Sequence, residues 1–577
     1  MNFIVFILGI ISSLIAFWQS TRVLLWWDYS YYIENTFRVY LGQIPYKDFV
    51  LVVMPGTYYV GALIMKVFGT SYIFQKAYMI LITFFTLILT YQILQLIKRD
   101  PKLNIFLLLP VVIAGNYAFF SIPSYDKNPI LCSLLAIYLI LKAHKSKVNI
   151  WRQYFFIGIT LALPIFFKQN TGWAFFTFFS ILLHIDIFVL DKQHKEKKIF
   201  FLYTGILLII LPFVFYLISV HSVFQFIYQT ALYPLKVRQL NVRIISTLYD
   251  VVRPRAILYY IPFILAALFV VKKKINNIKL LLIVVYGIIL SPAVYVLCLF
   301  FMLRNKVQDF AFLIGYTILY NTSIWFVLYF CLFLVLSYEL IKRKIKNRFF
   351  FIFIACIVLF SLSLLSLHTV ERATPTIYPY FAIMLLCLSI KLKEIYPKYH
   401  WKLIAIIISI GTTICLLFIL LSIDIIQLGV SLKLFNATGE IAQQIKTGTY
   451  VGSIPGEWTG EMDQMIKYVN LNISLNDTII TIPGEDPIYY LTKRVPPLPF
   501  FEFLEYSCPF NVEQYASLIE AKKIDWIIVK NDLQCGYKCL GADIDNLTNR
   551  LKVNYILVKQ LKGYDIYKRI SIKQINP

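Results

Sequence analysis

The chain has 577 residues, of which 59% are hydrophobic and 15% are charged. Soluble domains carry about a quarter charged residues, so this composition excludes an ordinary soluble protein and indicates one that crosses a membrane many times. The formal net charge of +25 would suit a nucleic-acid-binding protein, but many of the basic residues cluster in short loops between apolar segments. We therefore expect these residues to set membrane orientation and to contact membrane lipids, with no nucleic-acid partner.

Apolar segments long enough to cross a bilayer recur up to residue 424, and we predict about thirteen transmembrane helices. The predicted spans are 3–25, 73–97, 103–121, 129–143, 151–167, 172–190, 199–219, 257–271, 279–301, 311–338, 349–367, 374–390 and 402–424. Basic loops fall at every second connection, for example around Lys98, Lys272 and Arg343. The positive-inside rule then predicts a multi-pass protein of the cell membrane, with its N-terminus in the cytoplasm and its C-terminus outside.

Two apolar segments near the N-terminus need separate treatment. The first span is long for a signal peptide and has no small-residue cleavage site before Asp28, which indicates an uncleaved anchor. Segment 57–69 is too short to span, and counting it as a span would invert every later loop against the positive-inside rule. We therefore predict that it is interfacial or re-entrant, within a first external loop at 26–72.

This first external loop begins with two tryptophans followed by Asp28, an acid that is costly to hold at a membrane surface without a partner. The spacing from Asp28 to Glu34 and Arg38 suits a short helix in the interface, on which Glu34 and Arg38 pair. We expect this helix to end at Gly42, and Asp48 to hold the turn that follows.

Other predicted external segments also carry charged residues. Asp126 precedes a helix start at which Asn128 is the expected N-cap and Pro129 the first residue, so Asp126 is not needed as a cap. The alternative is a solvated ion pair of Asp126 with Lys127. Lys168 lies between two spans with almost no loop, where an ammonium group should face a cavity or an anion.

The predicted loop 220–256 is basic although it lies outside, contrary to the positive-inside rule. It contains Arg238 and Arg243, and guanidinium groups bind phosphate bidentately. Arg372 lies in a further external turn before the span at 374–390. We expect some of these arginines to bind a phosphate and the others to contact anionic headgroups.

After residue 429 the apolar residues alternate, which is typical of strands. We predict strands near 478–482, 525–529 and 553–558 and a helix at 511–523, which together indicate a small α/β domain at 430–577. This domain contains Cys508, Cys535 and Cys539, and a disulfide from Cys535 to Cys539 or to Cys508 stays open. No histidine lies nearby, so we expect no metal site.

Several of these strings resemble membrane glycosyltransferases of the GT-C fold. After Asp28, the string GQIPYKDF at 42–49 and the string PGTYY at 55–59 resemble the protein-mannosyltransferase-like family, which includes the lipid A aminoarabinose transferase and the Rgt-type transferases. FKQNTG at 167–172 and the tyrosine-rich string at 487–497 are similar to further parts of that family. The chain departs from the family pattern at three places, one of which is the spacing of His368 and Arg372 before the span at 374–390. Met54 or a neighbour replaces a lysine of the family. Pro129 stands two residues further from Asp126 than the corresponding proline stands from its acid in the aminoarabinose transferase.

The resemblance implies an all-α polytopic membrane domain of the GT-C type at 1–429, followed by the extracytoplasmic α/β domain. It also implies an inverting transfer of sugar from a polyprenyl-phosphate donor to a lipid, glycan or protein acceptor, without cofactor or metal. Asp28 would be the catalytic base, and Asp126 would orient the acceptor or a basic neighbour. The implied substrate-binding residues are Lys168, Arg238, Arg243, Arg372, Tyr32 and Tyr59.

Two other functions fit a chain of this kind. A transporter or flippase of lipid-linked sugars would place its polar groups near the bilayer midplane, often in repeated halves, whereas the polar residues here gather at one face. An oligosaccharide polymerase or whole-glycan transferase would share the architecture and differ mainly in the size of its donor. Sugar transfer from a polyprenyl-phosphate donor requires few protein groups. The phosphate leaving group needs cations to stabilise its charge, and the acceptor needs one carboxylate to remove its proton.

Overall fold

The computed structural model describes residues 2–22, 27–115, 127–145, 149–190, 194–237, 356, 370–395, 397, 400–421, 457–500, 502–503, 509–531 and 544–570. Up to residue 421 these residues are mostly helical. The helices are α1 (Asn2–Arg22), α2 (Trp27–Tyr40), α3 (Gly56–Phe68), α4 (Tyr72–Ile97), α5 (Pro101–Ile113), α6 (Asn128–Lys145), α7 (Ile150–Phe167), α8 (Gln169–Ile185), α9 (Lys195–Ser219), α10 (Val223–Ile227), α11 (Tyr233–Val237), α12 (Val370–Ile395) and α13 (Trp401–Leu420).

The long helices pack into one bundle with a shared apolar core, to which α1, α4 to α9, α12 and α13 contribute. Helices α7 and α9 approach most closely where glycines face the opposite backbone. A Cβ atom on Gly158 would lie 2.1 Å from the carbonyl oxygen of Leu202, and one on Gly205 would lie 2.1 Å from that of Phe155. Glycine is therefore required at both positions for this contact.

Among the described helices, three are long and apolar enough to cross a membrane, judged by length and composition: Tyr72–Ile97, Gln169–Phe188 and Lys195–Ser219. Shorter apolar helices cover Asn2–Trp18, Pro101–Ile113, Trp151–Phe167, Tyr378–Ile390 and Trp401–Ile414. The predicted spans up to 199–219, and those at 374–390 and 402–424, thus coincide wholly or in part with helices. The predicted spans at 257–271, 279–301 and 311–338 lie outside the described residues, as does 349–367 apart from residue 356.

Two segments that were predicted to lie outside the spans contain short helices in the structure. Segment 57–69 is the 13-residue helix α3, which at about 1.5 Å per residue is too short to cross a bilayer. The segment 220–256 was predicted to connect two spans, and part of it is described. That part contains α10, a turn of π-helix at Tyr228–Leu232 and α11. The π-helical turn inserts Gln229, whose side-chain oxygen accepts a hydrogen bond from Leu51 N at 2.9 Å.

The C-terminal part is the expected α/β unit. Its sheet has the strand order β1-β2-β4-β3, with β1 (Ile479–Ile482) and β2 (Trp526–Lys530) parallel and the β3 (Tyr555–Leu561) to β4 (Tyr564–Arg569) hairpin antiparallel. The accompanying helices are α14 (Glu457–Asn472), α15 (Ile488–Thr492), α16 (Val512–Ala521) and α17 (Ile544–Lys552). Helix α16 starts where predicted because Asn511 and Gln514 form a capping box.

The C-terminal unit packs directly against α2 and the segment after it. Arg38 donates to the carbonyl oxygens of Leu498 at 2.9 Å and Phe500 at 3.1 Å. Val50 N donates to Pro499 O at 2.7 Å, and the Tyr490 hydroxyl donates to Thr70 O at 2.6 Å. These bonds fix the C-terminal unit at the end of the bundle where α4 begins.

Candidate functional site

Helix α2 carries Asp28 in its first turn and is buried along most of its length. Its side chains Ile33 and Phe37 belong to a second apolar cluster, which also includes Tyr58 of α3 and Tyr490 of the C-terminal unit. The structure confirms the predicted helix in this loop and the role of Asp48, whose Oδ2 atom accepts from Ile44 N at 2.7 Å. The Asp28 side chain lies outside the described part, so its catalytic role stays a prediction.

The start of α3 is the point where three chain segments meet. Gln169, the first residue of α8, donates from Nε2 to Val52 O at 2.9 Å. A Cβ atom on Gly56 would lie 2.5 Å from Phe166 O, so the start of α3 rests directly on the end of α7. Lys168 lies between these two contacts, and only 6% of its side chain is exposed. The prediction that Lys168 lies within the protein and not in lipid is consistent with this burial.

The third segment is the start of α6. Asn128 was expected to cap this helix, but the structure places it as the first helical residue, with its side chain directed to other helices. Its Nδ2 atom donates to Thr57 Oγ1 at 3.0 Å, and its Oδ1 atom accepts from the Tyr78 hydroxyl. These bonds hold the start of α6 against α3 and α4.

Lys127 precedes Asn128 and is completely buried. The sequence analysis considered it as one half of a solvated ion pair, and that interpretation was wrong because its exposed fraction is 0%. Its burial could have been suspected from the sequence, since an ammonium group so close to an apolar helix is unusual. The pattern gives no way, however, to tell which neighbouring segment covers it.

The two tyrosines predicted to bind substrate differ in their surroundings. Tyr32 is buried, and its hydroxyl donates to Gln75 Oε1 at 2.6 Å, which ties α2 to α4. Burial raises the pKa of Tyr32 well above its usual value. Tyr59 is 38% exposed, and its hydroxyl shares a 2.8 Å hydrogen bond with the hydroxyl of Tyr216. Tyr59 is therefore the more accessible of the two, and both substrate contacts stay predictions.

Four other predicted site residues cannot be placed fully. Asp126, Arg238 and Arg243 lie outside the described residues, and Arg372 belongs to α12 without a described side chain. Within the described ranges, no group of three or more His, Cys, Asp or Glu side chains lies close enough together to hold a metal ion.

Glu34 is a buried acid that the sequence analysis assigned to a surface pair with Arg38. The structure buries it completely, and its Oε1 atom accepts from Tyr490 N at 3.1 Å. Burial raises the pKa of Glu34 to about 8, although the N–H groups of Tyr490 and Tyr489 and the charges of Arg38 and Lys493 lower it. Glu34 thus contacts the C-terminal unit, 456 residues away in the chain.

With this geometry described, the chain can be compared with known proteins. No family model matches it, and no curated protein matches it. Among solved structures, ArnT from Cupriavidus metallidurans bound to undecaprenyl phosphate is similar over 98% of both chains, with 10% identity and a TM-score of 0.47. The oligosaccharyltransferase AglB from Archaeoglobus fulgidus, in complex with an inhibitory peptide and a dolichol-phosphate, is similar over 99% of this chain and 74% of its own, with 12% identity and a TM-score of 0.46.

The similarity to both structures has a TM-score below 0.5. At these identities and TM-scores it assigns neither a substrate nor an activity to this chain. The functional proposal depends on the residues described above.

Proposed function

We propose that the protein is an integral-membrane glycosyltransferase that transfers a sugar from a polyprenyl-phosphate donor to a lipid, glycan or protein acceptor on the extracytoplasmic face. The observation that carries the proposal is the meeting of α3, Lys168 and the start of α6 next to α2, the helix that begins around Asp28. This arrangement supports the proposal because the buried Lys168 lies beside the start of α3, and α3 packs against α2, the helix that includes Asp28.

The proposed chemistry uses one acid and several cations. Asp28 accepts the proton of the acceptor hydroxyl or amine as that group attacks the anomeric carbon from the side opposite the phosphate. The bond between the anomeric carbon and the phosphate oxygen breaks, and its electron pair stays on the phosphate. Lys168 stabilises this charge, together with one or more of Arg238, Arg243 and Arg372. Attack from the opposite side inverts the configuration.

The other proposed residues act on the substrates without a covalent step. Asp126 orients the acceptor or a basic neighbour, and it lies one residue before the buried Lys127. Tyr59 contacts the donor through its exposed ring or hydroxyl. Tyr32, whose hydroxyl is already bonded to Gln75, contributes by holding α2 in place and by any contact that its ring makes with the donor. No cofactor or metal takes part in this scheme.

The test is transfer of radiolabelled sugar from a polyprenyl-phosphate donor by the purified protein in proteoliposomes. Asp28→Asn keeps the shape of the side chain and removes the base, so we expect transfer to fall about 100- to 10,000-fold. Asp126→Asn should reduce transfer less. Asp48→Asn is the matched control in the same predicted external loop, because the Asp48 carboxylate accepts a hydrogen bond from Ile44 N within a turn. Sugar transfer by this variant should stay near normal.

Three outcomes would contradict this proposal. If Asp28→Asn retains normal transfer and Asp126→Asn loses it, the roles of the two acids are reversed. If both variants stay active, the mechanism is wrong. If the wild-type protein moves labelled donor across the bilayer without forming product, the protein is a flippase of lipid-linked sugars and not a transferase.

A further inference from the structure

Segment 51–54, just before α3, is neither helix nor strand, yet its four side chains are almost completely buried. The backbone N–H and C=O groups of such a segment need partners elsewhere, because an unbonded polar group is costly to bury. Two of them are bonded to glutamine side chains from separate parts of the chain. Leu51 N donates to Gln229 Oε1, and Val52 O accepts from Gln169 Nε2, both at 2.9 Å.

Gln229 reaches this segment from the π-helical turn Tyr228–Leu232. Gln229 is only 5% exposed, whereas Ile227 and Leu232 on either side of it are about half exposed. The hydrogen bonds of a π-helical turn join residues five apart, one more than in an α-helix, and such turns occur frequently at functional sites. The side chain that this turn directs inward bonds to the backbone of segment 51–54 and not to its own helix.

Gln169 is the first residue of α8 and directly follows Lys168. Its bond to Val52 O fixes the start of α8 relative to segment 51–54. The two glutamine bonds leave adjacent residues of this segment, so a shift at one bond is transmitted to the other. The proposed transfer needs the Lys168 ammonium group at the leaving phosphate, and the position of that group therefore depends on Gln229.

We propose that Gln229 is a positioning residue for sugar transfer, which acts through segment 51–54 on Gln169 and the neighbouring Lys168. This inference rests on the proposed function. Gln229 does not touch the substrate in this scheme, but it sets the position of the cation that stabilises the departing phosphate. Stabilisation of this kind depends on groups that are in place before the bond breaks, and a misplacement of about 1 Å can cost about 100-fold in rate.

The first measurement, hydrogen exchange of the full-length protein in nanodiscs, does not depend on activity. Gln229→Met keeps the length of the side chain and removes the acceptor, so exchange should become about tenfold faster in the peptides 48–54 and 166–172. Thr230→Val is the matched control, because Thr230 is also buried but its hydroxyl donates to Phe226 O of its own helical segment at 2.7 Å. Gln229→Glu keeps an acceptor oxygen and should restore slow exchange in both peptides.

The second measurement is sugar transfer in proteoliposomes, over a range of donor concentrations that separates kcat from KM. Gln229→Met should lower kcat about tenfold to 100-fold with a smaller change in KM, whereas Thr230→Val should transfer normally. In a protein that already carries Lys168→Met, the same substitution should have little further effect, because the two residues act on one step. A purely structural role of Gln229 would lower transfer by the same factor with and without Lys168→Met.

The outcomes separate this inference from the proposed function. If the peptide 166–172 exchanges equally fast in Gln229→Met and Thr230→Val, Gln229 does not hold the start of α8, and this inference alone fails. Equal factors with and without Lys168→Met would also overturn it. If the wild-type protein forms no product, the proposed function is wrong, whatever the exchange rates are. Size-exclusion elution identifies a variant that does not fold, and Gln229→Asn, which is one methylene shorter, then replaces Gln229→Met.

Discussion

Glu34 is neutral for a large part of the time near pH 7, because burial raises its pKa to about 8. A carboxyl group with a raised pKa stabilises the folded contact most when it is protonated. The carboxyl group has an ordinary pKa near 4.5 once it is exposed. The contact between α2 and the C-terminal unit is therefore strongest below about pH 4.5, and this contribution is lost progressively as the pH rises to about 8.

We predict that Glu34→Gln removes most of this pH dependence, because the amide is neutral at every pH and its carbonyl can still accept from Tyr490 N. The measurement is hydrogen exchange in the peptide that contains residues 488–494, between pH 5 and pH 9, corrected for intrinsic exchange rates. In the wild-type protein, protection should fall as the pH rises and then level off above about pH 8.

The Glu34→Gln variant is also the control for the other titratable groups near residue 34. The charged and titratable groups that face Glu34 are Arg38 on its own helix and Tyr489, Tyr490 and Lys493 on the C-terminal unit. None of these is changed by the substitution. Equal pH dependence in the two proteins would show that Glu34 does not control the contact.

At the scale of the helix, the contact between α7 and α9 depends on two glycines. We predict that Gly205→Ala disrupts it, because the added Cβ would lie 2.1 Å from the carbonyl oxygen of Phe155, which belongs to a helix backbone and cannot move aside. The two helices must separate, which we expect to cost about 1–3 kcal/mol, as overpacking does elsewhere. Thermal unfolding of the detergent-solubilised protein, followed by loss of monodisperse material, would measure the effect.

Gly9→Ala is the matched control for this prediction. A Cβ on Gly9 of α1 would lie 2.8 Å from the ring of Phe84, a side chain that can rotate away. We therefore expect a smaller effect than for Gly205→Ala, although both substitutions add one methyl group to an apolar helix. If the two variants unfold at the same temperature, close backbone approach does not limit the stability of this bundle.

At the scale of the whole molecule, α4 runs from one end of the bundle to the other. The C-terminal unit bonds to Thr70, just before α4, while Lys402 at the start of α13 bonds to Asp100, just after α4, at 2.7 Å. Helix α13 therefore starts at the end opposite to the C-terminal unit and leads back towards it.

We predict accordingly that a reporter inserted in the loop 342–348 is cytoplasmic and that one inserted after Gly429 is extracytoplasmic. The basic residues of that loop should keep it inside. Alkaline phosphatase and green fluorescent protein fusions at both positions would measure the two sides. The same side for both positions would contradict the count of spans, and with it the placement of the site on the outer face.

The sequence was sufficient for features that depend on neighbouring residues. The helices near their predicted bounds, the capping box of α16 and the turn held by Asp48 all follow from local apolar runs and short-range hydrogen bonds. It was not sufficient for burial that is decided by distant segments. Glu34 is covered by Tyr490, and Asn128 bonds to Thr57 and not to its own helix, because the tertiary partner offers a better-placed group than local capping does.

The bonds of Arg38 also constrain how the protein is made. Its partners Leu498 and Phe500 follow it by 460 and 462 residues. At about 5–20 residues per second, a ribosome needs roughly half a minute to a minute and a half to reach them. Throughout that interval α2 is already translated, yet the guanidinium group of Arg38 lacks those two carbonyl oxygens. The helix that carries Asp28 can therefore reach its final surroundings only after the last membrane span has been translated, so the proposed site is completed late in biogenesis.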